Sequence, residues 1–442
     1  MKDQGKEEET LGDDNINCVK INPKKLIGNI NIPSSKSLSH RGIIAAALSN
    51  GESNIGNLIF SDDIKVTWEG MEKLGAKIEK INSRTLKIKG KYSKLEKDQI
   101  IDCKESGSTL RFLIPISLLY ANKFIFIGRG KLVSRPLDIY YKIFDEQKIE
   151  YTNDDGNLPL NVQGLIKPGT FEMEGNISSQ FLTGLMFTLP LLKEDSSIII
   201  TKDLESKGYV DLTIDILSEF GIEIKNSDYK KFIIKGNQEY KNKDYDVEGD
   251  FSQAAFWIVG GILGEKICSK NLNINSLQGD KIVMDLVEEM GGDIKVRDSS
   301  IVTTRSQTKG IIIDASECPD IIPVMAVLAA LSEGQTNIIN ANRLRIKESD
   351  RLKAISTELN KLGADVLELD DSLIINGKDS LTGGVVDSWN DHRIAMALAI
   401  ASIKATGQVT ITNSDCVNKS YPHFWEDFKS LGGDIHEFNM GE

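Results

Sequence analysis

Arg41, Arg111, Arg129, Arg135, Arg343, Arg345, Arg351 and Arg393 are eight of only 11 arginines in a chain with 42 lysines. A guanidinium fork grips a carboxylate or phosphate through two parallel hydrogen bonds, which an ammonium cannot do. Positions that keep Arg in so Lys-rich a chain point to an anionic ligand, although several of the eight are expected to be structural or surface charges. The stretches around them have the right company. SSKSLSHR (34–41) sets Lys36 and Arg41 among Ser34, Ser35, Ser37 and Ser39, just ahead of an apolar run read as a helix closed by Gly51. Free N–H groups at a helix start favour an anion, and hydroxyls with two cations would complete such a site.

Other stretches repeat the theme. ESGSTLRF (105–112) places Gly107 and two hydroxyls before a helix, with Arg111 one turn in. Arg135 directly precedes Pro136, and EGNISSQFLTG (174–184) puts Ser178 and Ser179 at a helix start ahead of Gln180. ESKGYVD adds Ser206 and Tyr209; ECPDIIPVMA sets Asp320 between prolines; NRLRIKESDR packs three Arg with Lys347, Glu348 and Asp350; NDHRIAMA presents His392 and Arg393; CVNKSYPHFW presents Lys419. Each has a plainer reading. Ser-rich helix starts are mostly ordinary caps, Asp320 could simply cap its helix, and NRLRIKESDR could be a solvated charged helix. Their recurrence in both halves of the chain favours a cleft for two small anionic molecules. P-loop, nucleophile-elbow, zincin and dinucleotide fingerprints are absent, so kinase, serine hydrolase, zinc protease and dehydrogenase chemistry lose support.

The elements that must carry these residues repeat. An amphipathic helix ends near a Gly and a strand follows, at 68–80, 214–225, 283–296, 355–369 and 424–438, with a degenerate copy lacking the Gly at 139–152. The turn positions Gly75, Lys148, Gly221, Gly291, Gly363 and Gly432 recur about every 70 residues, the pattern of an internally repeated α/β architecture. Two globular halves of three repeats each are expected, with an internal boundary near residue 248, after the polar stretch 226–250.

At 442 residues the chain can bury large cores, and its hydrophobic content of 40% is ordinary. No apolar run approaches the roughly 18 to 20 residues that span a membrane. The charged residues 1–15 lack the apolar segment of a secretory signal and read as a mobile acidic extension. Five scattered cysteines, without a C-x-x-C pair, suggest reduced thiols and a cytoplasmic setting. Four histidines without metal-pair spacing suggest no metal or cofactor, and a net charge of −12 disfavours nucleic acid.

Taken in order, SSKSLSHR, SGSTLR, RP at 135–136, SSQFLTG, ESKGYVD, EGD at 248–250, PD at 319–320, RIKESDR, NDHR and NKSYP resemble the 5-enolpyruvylshikimate-3-phosphate synthases, over roughly residues 17–440. The resemblance implies an α/β fold of two similar domains, each of three βαβαββ units: 34–248 and the discontinuous 16–33 plus 249–442. It implies enolpyruvyl transfer from phosphoenolpyruvate to shikimate 3-phosphate by addition and elimination, in a monomer without nucleic-acid or membrane partners. By the same resemblance Lys36, Ser37, Arg41, Ser178, Ser179, Gln180, Ser206, Tyr209, Asp320 and Lys347 would hold shikimate 3-phosphate. Lys36, Gly107, Arg135, Gln180, Arg351, Arg393 and Lys419 would hold phosphoenolpyruvate. Asp320 would take the 5-hydroxyl proton, Glu348 would protonate and later deprotonate the methylene carbon, and Lys347 and Lys36 would assist. The open backbone at Gly107 implies sensitivity to glyphosate, which occupies the phosphoenolpyruvate site in this family.

These residue types suit that chemistry. Attack at C2 requires C3 protonated and the hydroxyl deprotonated, so an acid and a base must flank the reactants. A ring of cations offsets the repulsion of two anions and fixes an approach of about 3 to 3.5 Å. Two departures from the common family pattern stand out: Glu105 where many members carry Asn, and Arg343 where some carry Asn. Glu105 would weaken anion affinity or pair with a nearby Arg. A UDP-N-acetylglucosamine enolpyruvyl transferase shares the fold but typically carries Lys-Asn near its start and a loop Cys. Here the pair is Lys36-Ser37, and residues 112–140 lack Cys. A non-catalytic anion-binding repeat protein is disfavoured by Asp320 and Glu348 beside the cations.

Overall fold

Helices of two kinds alternate along the chain. They are α1 (Lys36–Leu48), α2 (Asp62–Lys73), α3 (Gly107–Ser117), α4 (Asp138–Gln147), α5 (Ser179–Thr188), α6 (Lys207–Glu219), α7 (Phe251–Leu263), α8 (Val283–Glu289), α9 (Ile322–Ala330), α10 (Arg351–Lys361), α11 (His392–Ala401) and α12 (Phe424–Ser430). The odd-numbered helices are apolar nearly all round and almost wholly buried, as expected of helices enclosed on every side. The even-numbered ones bury one face. The computed structural model describes residues 16–90 and 95–440; the acidic stretch 1–15 read above as an extension lies outside the described residues.

Each even-numbered helix ends in a left-handed turn, at Gly75, Gly221, Gly291, Gly363 and Gly432 with φ between 80° and 99°. Lys148 takes the same turn at φ 57°. The degenerate copy therefore keeps the geometry without the glycine, at a cost of about 1 kcal/mol. An antiparallel hairpin follows five of these turns. The sixth turn is followed by Asp434–Met440, which pairs instead with the first described strand, Ile16–Asn22.

Six four-stranded sheets result among the described residues. Three are built from residues 51–246. The other three combine 16–31 with 266–440, because Ile27–Asn31 runs parallel to Lys266–Lys270 and Ile16–Asn22 pairs with Val409–Thr412. Two separate hydrophobic cores correspond to them, one spanning residues 38–247 and one uniting 19–32 with 251–431. Below these are the N-lobe and C-lobe. The chain passes between lobes on two adjacent segments tied to each other: Ser35 N–H donates to Glu248 O (2.8 Å) and Asp250 N–H to Pro33 O (2.9 Å).

Helix α1 departs from the sequence reading. It begins at Lys36, capped by the Ser35 hydroxyl, and ends at Leu48, while Gly51 opens the next strand. Lys36 and Ser37 thus occupy the helix's first turn rather than a loop before it.

Candidate active site

The buried helices matter to function because of where they start. α1, α3, α5 and α11 all begin at one crevice, capped by Ser35, Ser106, Ser178 and Asp391. α9 begins two residues after Asp320 without a side-chain cap, so Asp320 does not cap it. The first residues of even-numbered helices, or the segments just before them, complete the wall with Asp63, Arg135, Ser206, Tyr209 and the run Arg343 to Arg351. The crevice is partly open to solvent. Several helix N-termini facing one space make it attractive to anions before any side chain is counted.

The side chains add to that field. Arg135 Nε, Arg343 Nε, and Arg393 Nε and Nη1 are buried without a hydrogen-bond partner. Orphaned buried donors are costly in folded proteins, and these four atoms belong to guanidinium groups lining one gap. Gly107 leaves Arg135 room: a Cβ on it would fall 2.4 Å from Nη1. Arg111 holds Gln180 in place, donating to its Oε1 at 2.8 Å and to Pro136 O at 3.1 Å. Arg41 lines the crevice with its donors already engaged by Thr213 Oγ1 (2.9 Å), Ser37 O (2.8 Å) and Tyr209 O (3.1 Å). Burial pushes its guanidinium down to about 10.

Two carboxylates sit among these cations. Asp320 accepts from Arg351 Nη1 (2.7 Å), Lys347 Nζ (3.3 Å) and the Tyr209 hydroxyl (3.0 Å), with Arg393 Nη2 at 3.6 Å. Burial would raise it, but Lys347, Arg393 and Arg351 together hold it well below the usual carboxylate range. Glu348 Oε2 touches His392 Nδ1 at 2.7 Å without hydrogen-bond alignment, and its Oε1 lies 3.9 Å from both Lys36 Nζ and Arg351 Nη2. It too is held well below its ordinary value, burial being outweighed by His392 and Lys36. Lys36 is anchored by Asp63 at 2.9 Å; burial lowers its ammonium, and Asp63 and Glu348 more than offset this. Glu348, Asp391 and His392 bring potential metal-ligand atoms within 4.8 Å of one another. Arg351 already pairs with Asp391 at 2.8 Å, so a metal ion there would face a fixed positive charge.

Lys347 behaves differently. Burial pushes its ammonium down to about 8, with Arg343, Arg351 and Arg135 adding to the effect against Asp320. The charged form is therefore lost as pH rises through about 8. The expected outcome is a fall in kcat/KM above that pH, since kcat/KM reports the free enzyme. Lys347→Arg, with a charge that does not titrate in this range, should remove that limb from the profile.

Fifteen of the sixteen residues named from the sequence line this crevice. Lys419 stands outside the lining, held at the rim by Glu105 Oε2 (2.7 Å) and Asn390 O (2.6 Å). Glu105 thus pairs with a lysine of the opposite lobe rather than with an arginine. Arg343 reaches across the lobes to Ser206 Oγ (2.7 Å) and Glu205 (3.4 Å). Arg111, Arg343 and His392, singled out in the sequence but assigned to neither substrate, line the crevice too, as do Ser108 and Asp63. Arginine scarcity marked Arg111 and Arg343; Asp63 carried no signal, because an acid in the first turn of a helix is commonplace.

Two lobes of three repeats around one crevice define the enolpyruvyl transferase fold. The enolpyruvyl transferase NikO from Streptomyces tendae superposes with a TM-score of 0.77 at 18% identity, over 96% of this chain and 100% of that one. The EPSP synthase of Acinetobacter baumannii superposes with a TM-score of 0.81 at 24% identity, over 96% and 100%. Sequence narrows the class. A family model described as EPSP synthase (3-phosphoshikimate 1-carboxyvinyltransferase) matches residues 21–428. The 3-phosphoshikimate 1-carboxyvinyltransferases of Clostridium novyi (strain NT) and Clostridium acetobutylicum are 60% and 59% identical. They cover 96% and 97% of this chain, and 99% and 100% of their own lengths. The chain belongs to the EPSP synthase family.

Proposed function

We propose that this chain transfers the enolpyruvyl group of phosphoenolpyruvate to the 5-hydroxyl of shikimate 3-phosphate, giving 5-enolpyruvylshikimate 3-phosphate and phosphate. The observation that carries the reading is the meeting of Lys36, Arg135, Lys347, Arg351 and Arg393 around Asp320 and Glu348 in one crevice. Ser178, Ser179, Gln180, Ser206 and Tyr209, with Ser37, Arg41, Lys36 and Lys347, hold shikimate 3-phosphate. Arg135, Arg351, Arg393 and Lys419, beside Gly107, Gln180 and Lys36, hold phosphoenolpyruvate.

Asp320 takes the 5-hydroxyl proton while the oxygen attacks C2 and Glu348 protonates C3. Glu348 then takes a proton back from C3 as phosphate leaves. Among the protein's own cations alone, both carboxylates are too acidic for these tasks. Two bound anions neutralise the surrounding cations and raise both groups toward the working range. The lobes, 16–33 plus 249–442 and 34–248, close on the substrates and expel water, which strengthens each contact. Among the described residues no helix is long and apolar enough to cross a membrane, and the chain acts in the cytoplasm as a monomer.

A phosphate-release assay tests the reading. Release should require phosphoenolpyruvate and shikimate 3-phosphate together. Release that required UDP-N-acetylglucosamine would favour the other enolpyruvyl transferase, and binding without turnover would favour a non-catalytic anion binder.

A further inference from the structure

Behind Asp320 lies a second buried carboxylate that no role above uses. Asp280 sits in the short turn Gly279–Ile282 and is 2% exposed. The Tyr209 hydroxyl lies 3.0 Å from Asp320 Oδ2 and 3.3 Å from Asp280 Oδ2. Ser252 Oγ also donates to Asp280 Oδ2, while Asp280 Oδ1 is buried with no partner. A phenol has one proton and here faces two carboxylates. It can serve only one of them at a time, so the three groups share protons as a unit.

The two ends of this unit differ in how well they hold a proton. Asp320 is ringed by Lys347, Arg351 and Arg393. Asp280 has none of these within ion-pair distance. Facing it are Tyr209 from α6, Asp250 capping α7 and Ser252 within it, Cys318 and Asp320 ahead of α9, and the more distant Arg393 of α11. Its sequence neighbour Lys281 turns away to Ile274 O. Burial, with Asp320 and Asp250 adding, pushes Asp280 up to about 6, against Arg393 and Ser252. A proton arriving on Asp320 therefore has a second buried acceptor in Asp280, one phenol away.

We propose that Asp280 is the final holder of the 5-hydroxyl proton, reached from Asp320 through the Tyr209 hydroxyl. The inference rests on the reading of Asp320 as first acceptor. As the C5–O–H bond breaks and the O–C2 bond forms, the proton passes to Asp320 Oδ2. Tyr209 gives its own proton to Asp280 Oδ2 and takes the one on Asp320. Asp320 returns to a carboxylate within its cationic ring, Tyr209 stays neutral, and Asp280 becomes a neutral acid. When the C2–O bond to phosphate breaks, the proton retraces the path to the leaving phosphate, and the cycle closes without a co-reactant. Asp280 acts only through Tyr209 and Asp320.

The test is the pH dependence of kcat for wild type, Asp280→Asn, Asp280→Glu and Tyr209→Phe. Wild type should lose kcat as pH falls through about 6, because Asp280 is then already protonated. Asp280→Asn accepts no proton, so its kcat should drop about 100-fold, with both KM values within about threefold and no acid limb. Asp280→Glu should restore the limb. Tyr209→Phe, which interrupts the path, should also lack it. Wild-type kcat in Asp280→Asn, or a retained acid limb in either Asp280→Asn or Tyr209→Phe, would overturn the proposal; if Asp280→Asn does not fold, Tyr209→Phe decides. Asp320→Asn run alongside separates the two failures. If it is inactive while Asp280→Asn is unaffected, the relay falls and Asp320 keeps its role. If Asp320→Asn is fully active, both fall.

Discussion

Glu348→Gln is expected to lower kcat about 1,000-fold while leaving both KM values within about threefold. Glutamine keeps the shape of the side chain and its approach to Lys36 and Arg351, each 3.9 Å from Oε1. What it loses is the proton. C3 of phosphoenolpyruvate cannot become a methyl group unless an acid supplies one, and that methyl cannot return to a methylene unless a base removes one. His392, at 2.7 Å from Glu348, is buried and its imidazole is pushed below its ordinary value. Burial thus favours its neutral form and makes it a poor substitute for the glutamic acid. A second readout separates chemistry from binding. Wild type incubated with both substrates in deuterated water should place deuterium at C3 of recovered phosphoenolpyruvate, and the variant should not. A kcat within tenfold of wild type would remove Glu348 from the proton chemistry.

Arg351→Met should cost about 3 to 5 kcal/mol of folding stability at pH 7, besides weakening phosphoenolpyruvate binding. Arg351 is 2% exposed and clamps Asp391, itself 0% exposed, through Nε at 2.8 Å and Nη2 at 3.2 Å. Removing the guanidinium leaves Asp391 buried with only the Ser349 hydroxyl (3.0 Å) and the Arg393 N–H (2.9 Å). The penalty comes from stranding a charge, so a companion change should relieve it. Arg351→Met combined with Asp391→Asn removes the charge and keeps the helix cap, and should recover at least half the loss in urea unfolding. The penalty of the single variant should also shrink as pH falls, because burial and Glu348, no longer offset by Arg351, favour the protonated form of Asp391. A single variant as stable as wild type would show that the pair contributes nothing to the fold.

The repeats were legible because their signals are local. A helix that ends at glycine and turns into a strand is visible in sequence whatever it packs against, and even Lys148 at the degenerate copy sits in the left-handed turn. The site was legible because arginine is scarce and serines cluster at helix starts. What lay hidden depended on partners distant in the chain. Asp63 anchors Lys36 from 27 residues away, and Glu105 meets Lys419 across 314 residues. Asp280 reads in sequence as an ordinary polar turn residue. It becomes noteworthy only when Tyr209, 71 residues earlier, is folded against it. Helix α1 reads in sequence as starting nearly two turns late, because Lys36 and Ser37 look like loop residues unless Ser35 is recognised as the cap.

The most direct test of the central claim, that both lobes supply one bipartite anion site, is a crystal structure with shikimate 3-phosphate and glyphosate bound. The expected result is the sugar phosphate at Ser178, Ser179 and Ser206, with its 5-hydroxyl within about 3.2 Å of Asp320. Glyphosate should lie against Gly107, Arg135, Arg351 and Arg393. Shikimate 3-phosphate bound away from Asp320, or contacted by a single lobe, would contradict it.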